Sequence, residues 1–325
     1  RVVVDSRDKR TEFTPQFVKD AGAKGFMNKG KWSPYSDDPV FQKYYTKFVK
    51  ALAKDFNDPS KVEFMDGFGL GKWGEYHTMI YSTGDDTPKK AVFNWVTDIY
   101  SQAFDKVPVV INYHRWIGAG KDWVDDEHFA ADSEEMLEEA IKKGYSLRHD
   151  AFGMTTYYGS WERRFAKKYR NICPIIMEGG WIVKSHSYWQ DPRGYRKDSH
   201  EDVRRGEFDD SKEAHVNMMD FRFGDTESWF KDAFDLVRRF LREGGYRLYP
   251  SEISLPLEVS KKGTPTIKHC WNNMGWGYCP TNIPQWNQKY KVAFALLDSE
   301  TNEVRYTFVD TNTDLSKWIK GSPAE

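Results

Sequence analysis

The chain is 325 residues long, with 48 Lys and Arg against 49 Asp and Glu, a formal net charge of −1. That length suits one large domain, or one large and one small, and the even charge argues against a general polyanion or nucleic-acid binder, which carries a basic excess. Aromatic residues make up 16% of the chain and include 13 Trp, more than a core alone accounts for, so part of the excess is expected on a surface that stacks on flat ligand faces.

The three Cys do not make a disulfide framework. Cys270 and Cys279 are close enough in sequence to pair, whereas Cys173 lies in the apolar run Ile172 to Met177 and reads as a buried thiol. No Cys and His spacing suits zinc, so no metal site is expected. No apolar run reaches the length of a membrane span. The chain opens Arg1-Val2-Val3-Val4, as though inside a strand, so a processed leader or a longer parent protein is expected.

Val2 to Val4 is the first predicted strand. Residues 8–38 show no strong period and read as a long loop with one short helix near Thr14 to Ala21. A helix follows, capped by Asp38 with Pro39 in its first turn. Phe41, Tyr44, Tyr45, Phe48, Val49, Leu52 and Phe56 recur along it at helical spacing, and Asn57-Asp58-Pro59 stops it. A strand at 62–65 then gives way to a loop with Gly67, Gly69, Gly71 and Gly74 that ends Trp73-Gly74-Glu75-Tyr76-His77.

The alternation repeats. A helix at 89–104 precedes a strand at 108–112 that exits into Tyr113-His114-Arg115-Trp116. A helix at 133–143 precedes a weaker strand at 145–148 that exits into His149-Asp150. A short helix at 160–169 leads to a strand at 172–177 and its exit Glu178-Gly179-Gly180-Trp181. A charged stretch at 182–200 and a helix at 201–213 lead to a strand at 215–219, which exits into Asp220-Phe221-Arg222. The last helix, 226–243, stops at Gly244-Gly245.

Strands alternating with helices in this way imply parallel βα units. The six strands, each with a polar or aromatic exit, fit an α/β fold of the (β/α)8 barrel type, which builds its active site at the C-terminal strand ends. Two strands are wanting, and they are expected upstream of this numbering. The other arrangement, an open doubly wound sheet, would carry a Gly-rich phosphate loop of dinucleotide spacing, and none is present. The barrel is assigned 1–245. Residues 246–325 switch to short alternating runs and read as a small antiparallel β-sandwich domain.

Two carboxylates stand at strand exits beside rings and glycines, Glu75 and Glu178. Glycoside hydrolysis needs such a pair, one carboxyl to protonate the leaving oxygen and one to attack the anomeric carbon or activate water. Trp73, Trp116 and Trp181 are placed to stack on a sugar. His77, Tyr113, His114, His149, Asp150, Asp220 and Arg222 are candidate partners for its hydroxyls or for the two glutamates. Arg115, Lys184, His186 and Arg193 would suit an acidic or sulfated glycan.

The run Gly-Lys-Trp-Gly-Glu-Tyr-His resembles the strand-four exit of barrel glycosidases in the β-galactosidase and agarase branch of the large retaining clan. The run Met-Glu-Gly-Gly-Trp resembles their strand-seven exit. The resemblance implies Glu75 as acid/base and Glu178 as nucleophile. The tail, through Trp271-Asn272-Asn273-Met274-Gly275, Leu296-Leu297-Asp298, Asp314 and Trp318-Ile319-Lys320-Gly321, is similar to an all-β domain that often follows such barrels. The clan's Asn before the acid/base Glu is Gly74 here. The expectation is a secreted or cell-surface retaining glycosidase that cleaves a β-linked carbohydrate without a cofactor. The alternative is a carbohydrate-binding or structural surface protein on the same scaffold.

Overall fold

The computed structural model describes residues 1–6, 11–120, 127–153, 157–179, 200–221, 226–260, 262–287 and 290–321. The fold is mixed α/β. Its helices are α1 (Gln16–Asp20), α2 (Pro39–Phe56), α3 (Lys89–Ala103), α4 (Glu127–Lys142), α5 (Ser160–Tyr169), α6 (His200–Glu213), α7 (Phe234–Glu243) and α8 (Pro284–Asn287). The strands are β1 (Gly25–Asn28), β2 (Lys31–Pro34), β3 (Met65–Asp66), β4 (Val109–Asn112), β5 (Ser146–Phe152), β6 (Ile175–Gly179), β7 (Met218–Met219), β8 (Leu248–Ser254), β9 (Lys268–Asn273), β10 (Val292–Leu297) and β11 (Val304–Asp310). Five of them, β3 to β7, form a parallel sheet in sequence order, and the remaining strands form three two-stranded antiparallel sheets.

Contacts divide the chain into two units, Arg1–Ala151 with Thr155–Ala166, and Phe152–Met154 with Lys167–Glu325. In the first, Met65 and Asp66 lie opposite Val109 and Val110, and Val110, Ile111 and Asn112 lie opposite Ser146, Leu147 and Arg148. The amphipathic helix α2 starts as its sequence predicts, with the Phe41 N–H donating to Asp38 Oδ1 at 2.8 Å. It turns Phe41, Tyr45 and Val49 into the core. Two elements differ from the sequence reading. Val2 to Val4 form no strand and are half-buried; they line an apolar pocket with Phe13, Phe17, Tyr44 and Phe48. The supposed loop at 8–38 holds the hairpin β1–β2, whose two turn residues, Lys29 and Gly30, both take positive φ, the geometry of a type I′ turn.

In the second unit, Ile176 and Met177 lie opposite Met218 and Met219. The long terminal helix of the sequence reading is broken. A π-helical turn at Ser228–Asp232 precedes α7 and turns Trp229 inward, under the guanidinium of Arg204 at 4.9 Å. Helix α6 lies close to two glycines. A Cβ at Gly153 would meet the backbone of Glu207 at 2.6 Å, and one at Gly179 would come within 3.2 Å of Glu207 Oε1. The strands β8 and β9 pair with each other, as do β10 and β11. A small core of Cys279, Val292, Leu315 and Trp318 packs with Tyr246, Leu248, Trp271 and Phe294.

The expected bridge between Cys270 and Cys279 is not formed. Both thiols are free; Cys279 is buried in that core while Cys270 sits half-buried on β9. Cys173 is free and buried, as its apolar run predicts. The tryptophan expectation is corrected at Trp116. Trp73 is the one exposed indole among the described residues, while Trp32, Trp116, Trp161, Trp229, Trp276, Trp286 and Trp318 are buried. Most of the described tryptophans therefore go into packing.

Candidate active site

In the first unit, the loop after β3 is built from backbone that L-residues avoid. Gly69, Gly71 and Gly74 have φ of 78°, 75° and 77°, and Trp73, Tyr76 and Thr78 have φ of 56°, 60° and 51°. Three of the six non-glycine residues with positive φ among the described residues thus fall within six positions. Such residues cost of order 1–3 kcal/mol each and cluster where function demands a shape. Glycine is required at 74, where a Cβ would stand 2.5 Å from the Val2 carbonyl oxygen.

The loop is held from beneath by phenol hydroxyls. Tyr45 donates to the Phe68 carbonyl at 2.9 Å and Tyr145 to the Gly67 carbonyl at 2.8 Å. Tyr76 and Tyr81 donate outward to the carbonyls of Lys89 and Gly118. Burial raises the pKa of all four phenols above the ordinary value, so they stay protonated donors.

This backbone presents Glu75, 4% exposed. Arg1 Nη1 lies 2.5 Å and Arg148 Nη2 3.3 Å from its Oε1, and His77 Nε2 lies 3.5 Å from its Oε2. The same arginines reach Asp66 Oδ2, at 2.8 and 3.5 Å. Asp150 is a further neighbour whose charge acts on Glu75, and it accepts from Asn112 Nδ2 at 3.3 Å. Two guanidiniums thus face three carboxyls, and the surplus negative charge calls for one proton. Glu75 takes it. Burial, and then the charge of Asp150, raise its pKa to about 8 against the pull of His77 and Arg1. Burial opposes ionisation of Asp150 too, but the imidazoles around it and the Glu75 carboxyl outweigh it, so Asp150 holds the charge well below the usual carboxylate range.

The histidines are oriented by backbone. His114 Nδ1 accepts from the Trp116 N–H at 3.1 Å, so its Nε2–H donates to the Glu75 carbonyl at 3.0 Å. His149 Nδ1 accepts from the Ala151 N–H, and burial lowers its pKa to about 3, leaving it neutral. His77 Nε2 is 3.3 Å from the Tyr157 hydroxyl.

Of the sequence-predicted residues, the structure brings His77, His114 and Asp150 to Glu75. His149 and Asp150 lie within β5, not beyond its end; alternation then sets Arg148 and Asp150 on one face and His149 on the other. Tyr113 and His149 join an aromatic layer in which Tyr113 meets the Tyr158 hydroxyl at 3.1 Å and stacks on Phe165. Trp116 is buried under Arg115 at 3.8 Å and offers no stacking face. Arg115 also pairs with the buried Glu162. Trp73, 39% exposed, lies edge-on to His77 with Lys72 Nζ 4.2 Å from its ring. In the second unit, Glu178 is part of β6 and half-buried, and Asp220 follows β7, its N–H donating to the Met177 carbonyl. Trp181, Lys184, His186, Arg193 and Arg222 lie outside the described residues.

Sequence reasoning missed Arg1, Asp66, Asn112 and Arg148. A readable signal existed for Arg148, a cation inside an otherwise buried strand, which demands a carboxylate partner. Among the described residues no three His, Cys, Asp or Glu side chains are grouped to hold a metal ion, and no helix is long and apolar enough to cross a membrane. No protein-family model, curated protein or solved structure matches the chain.

The arrangement can donate a proton near neutral pH. Glu75 keeps it until about pH 8, and the carboxylate left behind would be met by Arg1 and Arg148. A carboxyl with its pKa raised into this range is suited to general-acid work.

Proposed function

We propose that the chain is a retaining glycoside hydrolase acting on a β-linked oligo- or polysaccharide outside the cell, without a cofactor. The five parallel strands would belong to a (β/α)8 barrel, and the two antiparallel sheets at 248–310 to a sandwich domain. Glu75 would protonate the departing glycosidic oxygen, and Trp73 would stack on the sugar at the loop's open edge. Glu178 would be the nucleophile, an assignment that rests on the resemblance of its strand exit. The observation that carries this reading is the protonated, buried Glu75 on a left-handed loop at the end of a parallel strand.

Aryl β-glycosides with good and poor leaving groups provide the test. Glu75→Gln is expected to lose far more on poor leaving groups, by roughly 10²–10⁴-fold as for removal of a general acid. Glu178→Gly should be inactive until azide takes the nucleophile's place, attacks the anomeric carbon from that face and displaces the aglycone, yielding the inverted, α-configured glycosyl azide. Equal losses on both leaving groups would overturn the role of Glu75.

A second reading is favoured by the ion pairs of Glu75 with Arg1 and Arg148 in a site 4% exposed. A carboxyl held in this way can serve structure alone, on a carbohydrate-binding or structural surface protein. Glycan binding by calorimetry that persists in Glu75→Gln, with no turnover in either protein, would select it.

A further inference from the structure

Strand register gathers polar residues of the first unit on one face of its sheet. Asp66 lies opposite Val110 and Asn112 opposite Arg148, and alternation along β4 and β5 puts Asp150 on the same face. Asn112 is 3% exposed, and its Nδ2 donates to Asp150 Oδ1 at 3.3 Å. Asp150 keeps its charge and can only accept. The amide therefore cannot be turned round, and Oδ1 is the end directed away from Asp150. Asn112 Oδ1 has no hydrogen-bond partner among the described residues. A buried amide oxygen left unmet is costly, and one that persists calls for a reason. Glu75 supplies the complement. Arg1 and Arg148 donate to its Oε1, which leaves Oε2 as the oxygen that carries the proton.

We propose that Asn112 is a substrate-binding residue, whose Oδ1 accepts a hydrogen bond from a sugar hydroxyl beside the bond that Glu75 protonates. The assignment rests on the glycosidase function proposed above. A glycosidic linkage offers the matching pair. Its bridging oxygen carries no hydrogen and takes the proton of Glu75 Oε2, while a neighbouring hydroxyl has a hydrogen to give and meets Asn112 Oδ1. Asp150 ties the two residues together, since it fixes the amide of Asn112 and its charge acts on Glu75. Both side chains are nearly closed to solvent, at 3 and 4% exposed. Water competes little for either, and a hydrogen bond made there counts for more than one at an open surface.

Aryl β-galactosides and β-glucosides with single sugar hydroxyls removed test the contact against the parent glycosides. With the wild-type chain, one deoxy form should lose on the order of 10–100-fold in kcat/KM, the cost of leaving a buried acceptor unmet. Asn112→Ala should lose a similar factor on the parent and nothing further on that deoxy form, with circular dichroism unchanged. Asn112→Ser, too short to reach the sugar but still polar, should show the same pattern and serves if the Ala variant does not fold. Equal losses on the parent and on every deoxy form overturn the proposal, because Asn112 then acts through Asp150 alone. Unimpaired turnover of the parent by the variants overturns it too, and in both cases turnover by the wild type leaves the glycosidase function standing. If the wild type binds these glycosides without cleaving them, calorimetry reads the same comparison in dissociation constants. The deoxy pattern there keeps the contact and removes the hydrolase, and its absence removes both. If the glycosides are neither bound nor cleaved, both fall.

Discussion

Replacing Glu75 by Gln tests the electrostatics of the candidate site directly. Glu75 has an ordinary pKa of 4.5 and is raised to about 8 in the fold. Between those limits the native state binds a proton that the unfolded chain has released, so stability falls as pH rises. Each pH unit removes ~1.4 kcal/mol, so this one group costs about 2–3 kcal/mol between pH 5 and 7 and about 4 kcal/mol between pH 5 and 8. Gln has no such titration. The variant should match the wild type near pH 5 and become the more stable of the two as pH rises. Urea unfolding followed by Trp fluorescence at pH 5, 6, 7 and 8 measures the difference. The opposite trend would refute the charge count. If Glu75 is ionised at pH 7, Glu75→Gln strips a partner from Arg1 and the buried Arg148, and breaking such a pair costs about 3–5 kcal/mol.

Two further outcomes follow from the backbone and the thiols. Gly74→Ala should destabilise the chain by at least ~2 kcal/mol in urea unfolding, because a Cβ there combines a left-handed φ with a clash against the Val2 carbonyl; Gly74→Asn, which restores the residue of the resembling clan, should be no better. Alkylation of the native chain at pH 8 should label Cys270 first and leave Cys279 unmodified, since burial pushes the Cys279 thiol up to about 12; rapid labelling of Cys279, or a mass two hydrogens lighter from a bridge, would contradict the free thiols.

Much of the fold was legible where local chemistry and packing agree. Asp38 and Pro39 mark the start of α2, and the order of helices and parallel strands follows from the spacing of apolar runs. Val2 to Val4 failed because a β-branched run specifies a strand only when a neighbouring strand offers its edge. The hairpin β1–β2 was obscured by the polar, Lys-rich residues around its turn, although Gly30 signalled it. In the candidate site, Glu75 and His77 stood out because glycines surround them. Arg1 and Asp66 did not, since their pairing with Glu75 and Arg148 is set by how β3 and β5 lie in the sheet, over 65 and more positions of sequence. Trp116 misled the reading because a ring at a strand end looks the same on paper whether it faces solvent or core.

The tyrosines under the loop have a consequence for any ligand that docks there. Carbonyls at Gly67 and Phe68 are already committed to phenols, and the neighbouring turns are fixed by left-handed torsions. The loop has little freedom left to lose on complex formation, so recognition here is closer to fitting a casting than to shaping a glove. The entropy of ordering is met at folding, and selectivity among ligands is decided by shape before any of them arrives.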